Sequence, residues 1–91
     1  RDISIFVGQD VRIDQLMAAM ENAAPALLDD VDLLDYYDPS IEGKNTKKDH
    51  KSLTFRLVFQ SGDHTLTDEE VNAEMTKIIL LLEEKFGAEV R

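Results

Sequence analysis

Apolar residues along this chain recur at two spacings, and the order of the spacings predicts the fold. In three segments apolar side chains alternate with their neighbours, which is the period of a half-buried strand. In two longer segments they recur at the spacing of an amphipathic helix. The end of the chain is just long enough for a short closing strand. The predicted elements are strands at 3–7, 31–37, 53–59 and 88–91 and helices at 11–24 and 67–86.

The ends of the two predicted helices carry recognisable signals. Asp10 precedes the first helix and is placed to cap its exposed amides. Pro25 lacks an amide hydrogen, so the first helix should end just before it. Thr67 and Glu70 have the spacing of a capping box, in which each side chain satisfies an exposed amide at the start of the second helix. Gly87 suits the left-handed conformation that ends a helix.

The order βαββαβ predicts how the elements are arranged. Right-handed crossover connections place both helices on one face of a four-stranded antiparallel sheet, which is an α+β fold. The other face of the sheet is then left open. By alternation, the first three strands are expected to carry these residues on the open face: Ser4, Phe6, Leu33, Asp35, Tyr37, Ser52, Thr54, Arg56 and Val58.

Length and composition limit the classes of protein to which the chain can belong. With 91 residues and a net charge of −9, it has room for one core, and we expect a single acidic domain spanning 1–91. The absence of cysteine excludes disulfides, thiolate zinc sites and cysteine nucleophiles. The longest apolar run, 78–82, is too short to span a membrane, so no membrane association is expected. Because the chain opens on Arg1 rather than on methionine, we expect a domain cut from a longer protein. We expect the isolated domain to be a monomer.

Two pairs of neighbouring acid and histidine residues are the simplest candidates for acid-base or metal chemistry. They lie at 49–50 and 63–64, in different loops, without a serine motif or metal-ligand spacing around them. Solvated loop residues explain both pairs. A small acid-base enzyme using Asp63 and His64 is the competing interpretation, but the sequence places no group to orient the imidazole and implies no pocket. The acidic run at 29–38 lacks the glycine and terminal glutamate of a calcium loop, so we interpret it as solvated strand ends.

Two other features indicate binding of nucleic acid. The polar loop between the second and third strands concentrates basic residues in an otherwise acidic chain, which suits phosphate. Its lysines are Lys44, Lys47, Lys48 and Lys51. On the open face, Tyr37 is flanked by Asp35 and would face Ser52, Thr54 and Arg56 if the two strands pair as a hairpin. An aromatic ring beside an acceptor and hydroxyls can stack a base and contact its edge. A solvated loop and a partly covered strand tyrosine are the alternatives.

At several points the sequence resembles the ferredoxin-fold anticodon-binding domain, which closes the beta chain of bacterial phenylalanyl-tRNA synthetase. The resemblance covers essentially the whole chain in order. Its most specific parts are the stretch at 65–73 and the ending at 87–91. The stretches that carry it are RDIS (1–4), LDYY (34–37), KSLTFRLVFQ (51–60), TLTDEEVNA (65–73) and FGAEVR (86–91).

The resemblance implies a ferredoxin-like fold and a tRNA-binding role without catalysis in the domain itself. The implied partners are the anticodon loop of phenylalanine tRNA, the rest of the beta chain and the alpha chain, in the cytoplasm. Chemistry would occur in a distant catalytic module that uses ATP and Mg²⁺, and no cofactor is expected in this domain. Matched to the family pattern, Tyr37 would stack on or contact the first anticodon base. Asp35 and Ser52 would form the hydrogen bonds that select it.

A ferredoxin-like regulatory or oligomerisation domain without RNA binding is the alternative function. The same βαββαβ layout supports many unrelated functions, because fold does not determine function. Such a domain would need an apolar open face or sheet edge. The predicted open face instead mixes Phe6 and Val58 with Asp35, Ser52 and Arg56, which favours RNA modestly.

Overall fold

A computed structural model of the protein describes residues 1–23, 26–37 and 50–90. The described elements follow the predicted order, strand, helix, strand, strand, helix, strand. They are β1 (Asp2–Gly8), α1 (Ile13–Ala23), β2 (Leu28–Tyr37), β3 (His50–Phe59), α2 (Asp68–Phe86) and β4 (Glu89–Val90).

The four strands form one antiparallel sheet in the order β2-β3-β1-β4. The two central strands, β3 and β1, bury every second side chain beneath the helices. These side chains pack with both helices into a single apolar core, which confirms the predicted α+β, ferredoxin-like arrangement with two helices on one face. The buried core consists of Ile3, Ile5, Val7, Leu16, Met20, Val31, Leu53, Phe55, Leu57, Ile78, Leu82 and Ala88.

The first helix begins later than its sequence pattern predicted. It starts at Ile13, so Asp10 lies too far before it to be its cap, and the prediction for Asp10 was wrong. The acidic group in the first turn is Asp14, which accepts hydrogen bonds from the Arg12 guanidinium at 2.9 Å and the Gln15 amide at 3.0 Å. The hydrogen bond from Arg12 is the main cause that lowers the pKa of Asp14. The helix ends at Ala23, just before Pro25, which lies outside the described residues.

The strands β2 and β3 both begin three residues before their predicted starts. In β2 the added residues include two exposed aspartates, Asp29 and Asp30, which hid the strand from a hydrophobic pattern. Pairing with β3 nevertheless reaches back to Leu28, which lies opposite Phe59. In β3 the added residues are His50, Lys51 and Ser52, which pair with β1.

A β-bulge in β2 changes which side chains lie on the open face. Leu33 pairs with the core residue Phe55, whereas Asp35 pairs with Thr54, so Leu34 is the extra residue between them. Leu33 therefore shares the helix side of the sheet, and its predicted place on the open face was wrong. Beyond the bulge the alternation resumes in the predicted phase, with Asp35 and Tyr37 on the open side.

The signals predicted for the second helix are all present in α2. The Thr67 hydroxyl accepts the Glu70 amide at 3.2 Å, and the Glu70 carboxylate accepts the Thr67 amide at 3.2 Å, which completes the capping box. At the other end Gly87 has a φ of 64° and donates its amide to the Glu83 carbonyl at 3.1 Å. Within the described parts of the chain, neither helix is long and apolar enough to cross a membrane.

Candidate nucleic-acid interface

The strand register arranges the open face of the sheet in rows that cross three strands. Residues directly opposite each other in an antiparallel pair project from the same face, with Cβ atoms about 5 Å apart. Three rows follow from the pairing of β2, β3 and β1. We name them the aromatic row (Tyr37, Ser52 and Phe6), the hydroxyl row (Asp35, Thr54 and Ser4) and the ion-pair row (Asp32, Arg56 and Asp2).

The aromatic row places one small polar residue between two rings. Tyr37 of β2 and Phe6 of β1 each lie opposite Ser52 of β3, and both are half-buried. Ser52 itself is only 5% exposed. The predicted pairing of Tyr37 with Ser52 is confirmed. The whole row lies on the face of the sheet that points away from the helices. The accessible surface of the row is therefore offered mainly by the two rings.

The hydroxyl row joins a hydroxyl pair to an exposed carboxylate. The hydroxyls of Ser4 and Thr54 are hydrogen-bonded to each other at 2.8 Å. Asp35 lies opposite Thr54 and is exposed. It forms no hydrogen bond or ion pair with any residue that the structure describes. Since an ionised carboxylate can only accept, Asp35 presents acceptor oxygens at an exposed position on this face.

The ion-pair row contains a guanidinium that already has a partner. Arg56 donates from Nε to the Asp2 carboxylate at 3.2 Å, and both side chains are 54% exposed. Asp32 lies directly opposite Arg56 on β2. The row therefore carries two carboxylates and one cation.

Summed over the described strands, the open face is acidic. Its carboxylates are Asp2, Asp30, Asp32, Asp35 and Glu89. Arg56 is the one Lys or Arg that these described strands place on the same face. A face with this balance suits the uncharged edges of bases better than a run of phosphates, because phosphate is repelled by carboxylates.

The structure describes one of the four lysines predicted to contact phosphate, and that lysine does not lie on the open face. Lys51 lies opposite Val7, on the helix side of the sheet, and is 7% exposed. Its ammonium donates to the Gln9 carbonyl at 3.4 Å. Lys51 and Ser52 therefore lie on opposite faces of the sheet. Lys44, Lys47 and Lys48 lie outside the described residues.

Phe6 is the residue of this surface that sequence reasoning did not assign to RNA contact. Alternation in β1 placed it on the open face, but its position beside Ser52 depends on the register between β1 and β3. These strands are separated by the first helix, β2 and a long stretch of sequence, so no local signal fixes their register. The one available signal was the phase of the alternation, which put Phe6 and Ser52 on the same side.

The acid-base candidate at His64 is part of the α2 cap. Its Nε2 donates to the Glu70 carboxylate at 2.7 Å, and its Nδ1 lies 3.1 Å from the Asp63 carboxylate and 3.3 Å from the Ser61 hydroxyl. The prediction that nothing orients this imidazole was wrong. Hydrogen bonds to Glu70 first and to Asp63 second raise the pKa of His64, which favours the imidazolium. Each ring nitrogen therefore lies within hydrogen-bond distance of a carboxylate.

Metal binding finds no support in the described part of the chain. Within residues 1–23, 26–37 and 50–90, no three acidic or histidine side chains are grouped so as to hold a metal ion.

Comparison with known proteins agrees with the geometry of the sheet. The family model described as "Ferredoxin-fold anticodon binding domain" matches residues 1–91, which is the whole chain. The chain belongs to the ferredoxin-fold anticodon-binding domain family. The family is described as anticodon-binding, which supports a tRNA-binding role for this chain.

Relatives of this anticodon-binding domain are found within much longer proteins. The chain is 34% identical over 91 residues to the phenylalanine–tRNA ligase beta subunit of Nitrosospira multiformis and 36% identical to that of Dechloromonas aromatica. It is 37% identical to that of Trichormus variabilis. In each case all of this chain is covered, and it spans 11% of the relative.

Proposed function

We propose that this domain recognises the anticodon loop of phenylalanine tRNA through the open face of its sheet. The observation that carries the proposal is the aromatic row, in which Tyr37 and Phe6 flank Ser52 on the face away from the helices. The family of the chain and its likeness to phenylalanine–tRNA ligase beta subunits support tRNA as the RNA. An unpaired anticodon base can stack on a ring of this row, as bases do on exposed aromatics of other sheets.

Selection of the base falls mainly on Asp35 in this proposal. Its carboxylate is exposed and lies next to the aromatic row. Guanine presents two adjacent N–H donors on its Watson–Crick edge, so a carboxylate that accepts both favours guanine over the other bases. Ser52 contributes a hydrogen bond to the base in this proposal. Its hydroxyl is largely shielded, so the base reaches it between the rings of Tyr37 and Phe6.

Attraction to the RNA backbone has to come from beside the sheet, since the face itself is acidic. In this proposal Lys44, Lys47 and Lys48 contact phosphates, and the sheet contacts bases. Thr54 holds its place in the hydroxyl row and faces the RNA. Lys51 acts only as a structural residue, because it lies on the helix side.

The domain acts as one part of a larger enzyme in this proposal. The chain spans 11% of its relatives, and we propose that residues 1–91 are a single domain of a phenylalanine–tRNA ligase beta chain. The rest of that chain and an alpha chain are then its protein partners in the cytoplasm. ATP and Mg²⁺ would be used by the ligase elsewhere, and this domain contributes only binding.

An equilibrium titration with a fluorescent anticodon stem-loop tests the function. The wild-type domain is expected to bind the stem-loop of phenylalanine tRNA more tightly than the same stem with a changed anticodon. The stem and the total charge are identical in the two RNAs, so a difference reports recognition of the loop. Equal affinities for the two RNAs would refute the proposal.

Oligomerisation is the one competing function that a specific observation favours. In β2, which is the edge strand of the sheet formed by the described residues, Leu34 and Tyr36 are 46% and 45% exposed and form an apolar strip. The same strand carries exposed aspartates, and like charges beside an edge oppose pairing with a second copy. Sedimentation equilibrium of the free domain separates the two functions, since a dimer at micromolar concentration would favour the oligomerisation domain.

A further inference from the structure

We propose that Phe6 and Glu89 form a second base site, which holds the nucleotide next to the one on Tyr37 and favours a base that carries an amino group. This inference rests on the proposed function and deepens it, because it adds a second base to the interface. It gives Phe6 a base of its own and gives Glu89 a role in selecting that base.

The strand register carries the aromatic row one position further, onto β4. Phe6 lies opposite Ser52 on one side and opposite Glu89 on the other. The neighbouring pair, Ile5 and Val90, belongs to the core side, because Ile5 is fully buried. Glu89 therefore projects from the open face together with Phe6, and it is exposed. Since Cβ atoms of opposite residues lie about 5 Å apart, a carboxylate stands beside the Phe6 ring.

The two rings of the row are far enough apart to hold different bases. Tyr37 and Phe6 lie on strands that are separated by β3, which places their backbones about 9–10 Å apart. The residue between them, Ser52, is small and 5% exposed. Aromatic residues on neighbouring strands of an RNA-binding sheet can stack two or three bases. We therefore place consecutive nucleotides on the two rings.

Each ring has a carboxylate of its own. Asp35 lies two residues from Tyr37 on β2, whereas Glu89 lies directly opposite Phe6 on β4. β3 and β1 separate the strands of the two carboxylates, so their backbones are about 14 Å apart. A base that Asp35 holds at Tyr37 is therefore out of reach of Glu89. The two carboxylates select different nucleotides.

The chemistry of a carboxylate decides which bases the second site favours. An ionised carboxylate only accepts hydrogen bonds, and its two oxygens have about four lone-pair positions, so a contact within the protein leaves capacity for a base. Adenine, cytosine and guanine each carry an amino group that donates. Uracil has no amino group, and a carbonyl oxygen flanks its one N–H on each side. Glu89 should therefore disfavour uracil at this nucleotide.

A uridine scan of the anticodon loop tests the second site. Each loop nucleotide that is not already uridine is replaced in turn, and the stem-loops are titrated against wild type, Asp35→Asn and Glu89→Gln. In wild type, uridine should weaken binding by about ten-fold at two adjacent nucleotides. Asp35→Asn should reduce the loss at one of them. Glu89→Gln should reduce the loss at the other to about two-fold, because a glutamine amide can also donate to a uracil carbonyl.

The matched control is Glu84→Gln in the last turn of α2. It removes the same charge at an exposed position on the helix side of the sheet. Both variants should raise the affinity for every loop slightly, but only Glu89→Gln should change the loss caused by uridine. A loss that is unchanged in Glu89→Gln, or that falls equally in Glu84→Gln, would overturn the proposal. Relief by Asp35→Asn and Glu89→Gln at the same nucleotide would overturn it as well.

Phe6→Leu tests the ring separately from the carboxylate. Leucine keeps an apolar side chain on β1 but removes the stacking surface, so the original loop should bind about five-fold more weakly or worse. A loop with an abasic sugar at the nucleotide assigned to Glu89 should bind wild type and Phe6→Leu equally. A difference that persists with the abasic loop would show that Phe6 acts through the fold of the sheet and would overturn its role as a base site.

The same scan distinguishes failure of the second site from failure of the proposed function. If uridine weakens binding only at the nucleotide that responds to Asp35→Asn, the second site is wrong and the proposed function stands. If uridine weakens binding to the wild-type domain at no nucleotide, the proposed function fails, and the second site fails with it.

Discussion

Tyr37 is the side chain on which the proposed stacking depends, and its neighbour Tyr36 offers a matched control. Tyr37→Ala should weaken binding of the anticodon stem-loop by about five-fold to a hundred-fold, because stacking of one base contributes about 1–3 kcal/mol. Tyr36 lies opposite the core residue Leu53, on the helix side of the same strand. Tyr36→Ala should leave affinity within about two-fold in the same fluorescence titration. Equal losses in the two variants would mean that the sheet face is not what the RNA contacts.

Asp35 and Ser52 are predicted to affect selectivity more than affinity. Asp35→Asn replaces one acceptor oxygen by a donor, so it should reduce the affinity ratio between the cognate loop and a loop with a changed anticodon by about ten-fold. Ser52→Ala should reduce the ratio less, because the Ser52 hydroxyl is largely shielded. Competition titrations with the two RNAs measure both ratios. A variant that weakens cognate and non-cognate RNA equally would show that the residue does not select.

His64 should make stability depend on pH near neutrality. Its pKa is raised in the folded state by Glu70 and Asp63, so its contribution is fully present below the unfolded pKa of about 6.5 and is lost as pH rises through the folded pKa. The stability difference between wild type and His64→Gln, from urea unfolding, should shrink from pH 6 to pH 9. In a Glu70→Gln background the difference should depend less on pH, because only Asp63 then raises the pKa of His64. A difference that grows with pH would contradict the assigned contacts.

At the scale of elements, the capping box is the most specific local feature. Thr67→Ala removes the hydroxyl that accepts the Glu70 amide and should lower the free energy of unfolding by about 1 kcal/mol. For a domain of this size that corresponds to a decrease in Tm of about 4–8 °C. Thr65→Ala makes the same chemical change two residues earlier, outside the cap, and should shift Tm by far less. Similar shifts in a thermal scan would show that the cap is not stabilising α2.

Sequence patterns were sufficient wherever one face of an element is buried. In β1 and β3 every second residue is in the core, so alternation alone predicted which side chains face the helices. In β2 the exposed aspartates hid the start of the strand, and the bulge at Leu34 reversed the phase, which placed Leu33 on the wrong face. A bulge depends on pairing with β3, a partner that a local pattern does not contain.

The candidate site was predictable to the same extent. The pairing of Tyr37 with Ser52 followed from two neighbouring strands and a hairpin, and the structure confirms it. Three other features depend on the register between β1 and β3, which are distant in sequence. They are the position of Phe6 beside Ser52, the ion pair of Arg56 with Asp2 and the burial of Lys51. Charge alone therefore assigned Lys51 to phosphate, and alternation alone placed Arg56 among the RNA-contacting residues, although each has a partner inside the protein.

At the scale of the whole molecule, net charge should limit how tightly the isolated domain binds RNA. The chain carries −9, and its open face is acidic, so backbone attraction is weak. We expect a Kd in the high micromolar range or weaker at physiological salt, near the roughly −4 kcal/mol of a millimolar complex. The intact ligase would gain from other contacts made at the same time. A nanomolar Kd for the isolated domain would contradict this expectation.

The lysines between β2 and β3 should provide the salt-sensitive part of that affinity. Lys47→Gln/Lys48→Gln should flatten the slope of log affinity against log salt by up to about 1.4, because each phosphate that is no longer neutralised accounts for about 0.7. Lys77→Gln/Lys85→Gln makes the same change of charge on α2 and should leave the slope nearly unchanged. If the two double variants behave alike, Lys47 and Lys48 do not touch phosphate.

Mapping of NMR chemical shifts tests most directly whether the open face of the sheet binds the anticodon loop. On addition of the phenylalanine tRNA stem-loop, we expect the largest amide shifts at Phe6, Asp35, Tyr37 and Ser52. Smaller shifts are expected at Lys44, Lys47 and Lys48. The amides of α1 and of the middle of α2 should stay in place. Shifts concentrated on the helices, with the aromatic row unmoved, would contradict binding at the open face.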